Sequence, residues 1–164
     1  MKKSGVDMIL MIRTANEFLT ISSNNKTFIP NFVNEAFACE LYLKAILQDK
    51  TGDYPKGRDW HNLEKLYDKV IENIDEEKFL VILNKEIEKT FPDYGTHKAK
   101  RDLYEMFDEY KNLFEDWRYL FEEKNKKKYI TDAGGVLVVD NLISNFAVAL
   151  KEYVEKFITK GATK

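Results

Sequence analysis

The first regular pattern in the chain is helical. Ile9, Ile12 (or Met8), Ala15, Phe18 and Leu19 recur at three- and four-residue steps between Gly5 and Ile21. Ser4 is the expected N-cap, and Ser-Ser-Asn-Asn is the stop. A second helix is expected from about Asn31 to Asp49, opened by Pro30, whose missing N–H costs little in a first turn. Its apolar stripe is Val33, Ala36, Phe37, Leu41 and Leu47, yet Glu40 and Lys44 fall inside that stripe. Residues four apart differ by about 40° around a helix, so a carboxylate and an ammonium stand side by side on the face that should be buried. Two readings stay open. One is an ordinary i, i+4 surface bridge, worth roughly 0.2–0.5 kcal/mol. The other is a polar core pair that anchors another group or lines a site between helices.

A cluster of loop formers, Lys50 to Asp59, then delivers His61 and a helix from about Asn62 to Asn73 with Leu63, Leu66, Tyr67, Val70 and Ile74 on one face. Asp75 reads as the N-cap of a further helix ending near Thr90, because acid in the first turn suits the helix dipole. His97 is placed in the loop that follows. The longest pattern, Lys98 to Glu123, carries seven aromatic residues and reads as the spine of an aromatic core or half of a dimer seam, the last helix being the other place for that seam. Residues 129–139 form either a small hairpin or a loop, feeding a last helix with Leu142, Phe146, Ala149, Leu150, Tyr153 and Phe157 at helical spacing. The expected fold is all-α, an up-and-down bundle of five or six helices in one domain spanning residues 1–164.

Composition narrows the function. A formal charge of −2 gives no global basic excess, so any contact with nucleic acid has to come from a local patch. The lone Cys39 has no internal disulfide partner and falls on an apolar helix, which fits a buried thiol in a reducing compartment. No stretch approaches the ~20 apolar residues of a membrane span, and the run Met8 to Ile12 is too short for a signal sequence. A cytoplasmic location without membrane contact is expected. Two histidines and one cysteine have no metal-ligand spacing, and Gly134-Gly135 lacks the surroundings of a phosphate loop. No metal and no cofactor is expected.

The run Ala36-Phe-Ala-Cys39-Glu40-Leu-Tyr-Leu-Lys44-Ala-Ile-Leu47 resembles the signature helix of the HEPN domains. His61-Asn-Leu-Glu-Lys-Leu-Tyr67 is similar to the block that opens their next helix, and Trp117-Arg118-Tyr119 is a third, weaker match. The first two blocks span roughly residues 30 to 70. The resemblance implies a HEPN-like helical homodimer that binds RNA or a nucleotide, in a toxin–antitoxin, phage-defence or RNA-processing setting, with a protein such as an antitoxin as a further partner. It also implies a metal-independent endoribonuclease, whose family motif is an arginine, four to six residues, then a histidine. Histidine can take the proton of a 2′-hydroxyl near neutral pH, and arginine can steady the phosphate with its planar fork of donors.

This chain departs from that motif. Arg58 precedes His61 by only two intervening residues, and the correctly spaced position holds Lys56, which supplies charge without the fork. The candidate catalytic residues are therefore His61 with Arg58 or Arg118. Lys44, Lys56, Arg118 and Tyr119 are candidates for binding phosphate, and Glu40 with Lys44 for a structural polar core. Each has a plainer reading. His61 would cap its helix or close the loop on the core, and Arg118 would lie exposed over Trp117 or Phe121 instead of reaching Glu40. The run Lys124 to Lys128 would be a solvated loop and not a phosphate patch. The alternative for the whole chain, from a different class, is a catalytically inert helical dimerisation or protein-interaction module.

Overall fold

The helix expected around Glu40 is the centre of the molecule. In the computed structural model, which describes residues 5–24, 28–110 and 142–158, it runs as α2 over Phe28–Thr51. Helix α1, Gly5–Asn24, lies along it with the most extensive contact of any pair. Helices α3 (Leu63–Ile71) and α6 (Leu142–Phe157) pack on its other sides. Helix α4, Glu76–Glu88, is held against α6, and α5, Thr96–Tyr110, packs on α4. A short 3-10 turn over Arg58–His61 leads into α3. The protein is an all-α helical bundle, with six α-helices and no strand among the described residues.

Burial explains why α2 holds this position. From Tyr42 to Gln48 every residue is buried, because α1, α3 and α6 leave this segment no solvent face. The apolar set is therefore wider than one stripe. Ala38, Cys39, Tyr42 and Leu43 are fully buried, whereas Phe37 and Leu41 are only partly so, with Phe37 stacked on Phe18 of α1 at 5.2 Å. The other half of the core is aromatic. Tyr67 of α3 meets Phe79 of α4, Phe107 of α5 and Phe146 of α6 at 5.5–5.9 Å between ring centres. Tilted and edge-to-face contacts of this kind favour one arrangement of the four helices over sliding alternatives.

One helix start carries its expected cap. The Asp75 side chain accepts from the backbone N–H of Lys78 at 3.4 Å, capping α4. Other expectations need correction. Asn62, not His61, caps α3, accepting from the N–H of Lys65 at 3.0 Å. His97 is in the first turn of α5, not in a loop. Ile9 and Phe157, expected on apolar faces, are 56% and 45% exposed. Met8, Met11, Ile12 and Ala15 define the buried side of α1 and turn Ile9 outward. The expected helix from Lys98 is observed as far as Tyr110. Its remainder, with Arg118 and Tyr119, lies outside the described residues, as do Ser4, the basic run and residues 129–139. Among the described residues no helix is long and apolar enough to cross a membrane.

Candidate functional site

Helix α2 supplies the buried half of the site and the following loop supplies the exposed half. Gly52, at φ 79°, ends α2, and the Gln48 side chain donates to its carbonyl at 2.9 Å. The chain then turns at Gly57, whose φ of 101° and ψ of 173° belong to a region open essentially to glycine alone. The N–H of Trp60 closes on the Gly57 carbonyl at 3.2 Å, and the indole is half-buried against the core. His61 thus stands between an anchored tryptophan and the Asn62 cap of α3. Its backbone is held on both sides.

Its side chain is held too. His61 Nδ1 lies 3.0 Å and 3.1 Å from the two carboxylate oxygens of Glu40, and Lys44 Nζ donates to Oε1 of the same carboxylate at 2.7 Å. The side chains of Glu40 and Lys44 are 8% and 11% exposed, whereas that of His61 is 41% exposed. The pair is therefore a polar core pair and not a surface bridge, because α2 has no outer face at this level. A carboxylate only accepts, so the hydrogen on the imidazole belongs on Nδ1. In the neutral ring that leaves the basic lone pair on Nε2. A buried carboxylate behind Nδ1 is the arrangement that selects a histidine tautomer and fixes the ring plane.

The structure thus brings together three of the residues singled out by sequence: Glu40, Lys44 and His61. Lys44 is committed to the buried carboxylate, so its part is to balance charge within the core; it is not a phosphate ligand at the surface. Lys56 is exposed on the approaching loop, 3.9 Å from Asp53 and 4.9 Å from the centre of the Tyr54 ring. Arg58 opens the turn that ends in His61.

A second polar centre escaped the sequence reading. Glu35, one turn and a half before Glu40, is buried and accepts from Ser22 Oγ of α1 at 2.7 Å and from Ser144 Oγ of α6 at 2.8 Å. It ties three helices through one carboxyl group. Burial raises its pKa above the usual glutamate range, and the two hydroxyls pull partly the other way. Cys39 is fully buried one turn further on, and burial pushes its thiol well above the ordinary value, as an inert structural cysteine requires. The available signal was Glu35-x3-Cys39 on one face of α2. The two serines come from distant segments and look like ordinary helix residues.

Among the described residues no group of three or more His, Cys, Asp or Glu side chains is placed to hold a metal ion. Comparison of the chain with protein-family models, with curated proteins and with solved structures finds no match. The reading of the site therefore rests on its geometry and on the sequence resemblance at Ala36–Leu47 and His61–Tyr67.

Proposed function

We propose that this is a HEPN-like helical protein that acts as a homodimer and binds RNA or a nucleotide, with His61 as the group that meets the ligand. The observation that carries the reading is the Glu40–His61 contact. It presents a half-exposed imidazole in a fixed plane and tautomer, at the mouth of a loop that also bears Lys56 and Arg58. A histidine used only for packing needs no buried carboxylate–ammonium pair behind it. One whose second nitrogen takes or gives a proton gains from such a pair.

The nucleolytic form of the reading comes from the resemblance, with His61 in the part of the base. Nε2 would accept the proton of a 2′-hydroxyl as that oxygen attacks the neighbouring phosphorus and the 5′-oxygen leaves. Arg58 or Arg118 would stabilise the phosphorane with its fork of donors, and Tyr119 and Lys56 would lie along the phosphates. Nothing in this step calls for a metal ion. The toxin–antitoxin, defence or RNA-processing setting, with a protein such as an antitoxin as second partner, follows from the resemblance. A second reading, an inert interaction module, is favoured by one feature: the Lys44–Glu40–His61 clip also fastens the start of α3 to α2, a structural task in itself.

A labelled single-stranded RNA, in EDTA, with wild type and His61→Ala, tests the proposal. Salt-dependent binding that weakens in the variant supports it. Cleavage, where present, should persist in EDTA and vanish in the variant. Cleavage that survives His61→Ala removes His61 from the chemistry, and binding indifferent to His61 favours the inert module.

A further inference from the structure

Three of the large apolar side chains that stand exposed among the described residues are on α1: Ile9 at 56%, Leu10 at 59% and Ile21 at 47%. They are not scattered. Ile9, Arg13, Glu17 and Ile21 follow one another at four-residue steps, a single ridge on the side of α1 turned away from Ala15 and the core. In its middle Arg13 Nε donates to Glu17 Oε1 at 3.3 Å, both side chains well exposed at 77% and 62%.

The order of that ridge is palindromic in shape and opposite in charge. Take a two-fold axis across α1 midway between Arg13 and Glu17, and set a second α1 antiparallel to the first. Arg13 then faces Glu17 of the second copy, Leu10 faces its Ile21, and Ile9 lies beside its Thr20; each contact occurs twice. Antiparallel helices that cross at about 20° are a common packing, so the seam needs no unusual geometry. A two-fold interface requires a patch complementary to itself, and few charged patches meet that condition. A surface built for a basic or an acidic partner would carry one sign of charge. This one carries one of each, at equal distances from the axis.

We propose that this outer face of α1 is the interface between two copies of the chain, with Arg13 and Glu17 exchanged as two symmetric ion pairs between Leu10–Ile21 contacts. The inference rests on the homodimer part of the reading above and is independent of any RNA chemistry. It moves the seam from the aromatic-rich helix or the last helix, where sequence alone would place it, to the first helix. A single helix face is at the small end of specific interfaces.

Charge reversal tests it, read by sedimentation velocity on the full chain, with circular dichroism to confirm that each variant is folded. Arg13→Glu places two acids opposite two acids, and Glu17→Arg two bases opposite two bases, so each variant alone should dimerise at least about tenfold more weakly than wild type. Mixed one to one, the two variants should associate again, since each now carries the complement of the other; the double swap Arg13→Glu/Glu17→Arg should dimerise like wild type. A wild-type dimer that neither reversal weakens, or variants that stay apart when mixed, would place the seam elsewhere and overturn this inference while leaving the homodimer intact. A wild type that stays monomeric at high micromolar concentration overturns both.

Discussion

Glu40 and His61, 21 positions apart, meet at 3.0 Å across the α2–α3 junction, the carboxylate inside the bundle and half of the imidazole outside it. The contact joins the most buried helix of the fold to the loop that carries the candidate chemistry. It makes the stability of the core and the presentation of the histidine two consequences of one interaction.

Removing the carboxylate should therefore be costly. Glu40→Ala strands the Lys44 ammonium in a nearly closed environment and is expected to lower stability by about 3 kcal/mol, as when one partner of a buried pair is deleted. Urea unfolding of the wild type and variant measures it. A loss below roughly 0.5 kcal/mol would mean that the pair behaves as an exposed helix bridge.

Gly57 should matter through its backbone alone. A Cβ there meets no atom within 4 Å, so Gly57→Ala creates no clash, but it forces an L-residue to hold φ 101°. Strain of about 1–3 kcal/mol is expected, relieved by a shift of the turn that carries Trp60 and His61. The variant should lose stability and also change the His61 ring signals in NMR. A stable variant with an unaltered His61 would show that the turn does not set the position of the ring.

Glu35 gives a pH dependence opposite to that of an ordinary paired carboxylate. Burial holds its carboxyl above the ordinary glutamate pKa in the folded state. The folded state thus binds the proton more tightly than the unfolded chain does. Its contribution to stability is full below about pH 4.5 and is lost as the pH rises through the folded pKa. Relative to Glu35→Gln, whose side chain does not titrate, the wild type should become steadily more stable as the pH falls from neutral toward 4.5. A difference between the two proteins that stays constant over that window, measured by urea unfolding at several pH values, would contradict the assignment.

The helices are readable in the sequence because their signals are local: three- and four-residue spacing, the Asp75 cap and the cluster of loop formers before His61. Glu40 and Lys44 were conspicuous as charges within an apolar stripe, but spacing alone does not say whether a stripe faces core or solvent. Burial of α2 on all sides decided it. The partner of His61 was out of reach because a contact across 21 residues depends on how α3 docks. Glu35 was missed for the same reason, since Ser144 lies 109 positions away. Ile9 and Phe157 show the converse limit: helical spacing marks them as apolar-face residues, but the packed side of each helix runs through their neighbours instead.

That Glu40 holds His61 ready for RNA or a nucleotide can be read on the ring itself. Long-range 15N–1H spectra of His61 should be recorded in EDTA, above the ordinary histidine titration range, as a single-stranded RNA oligonucleotide is added. The Nδ1–H tautomer is expected in the protein alone, then a saturable movement of the His61 signals that shrinks as salt is raised. A ring found as the Nε2–H tautomer, or signals that stay fixed at millimolar RNA, would contradict it.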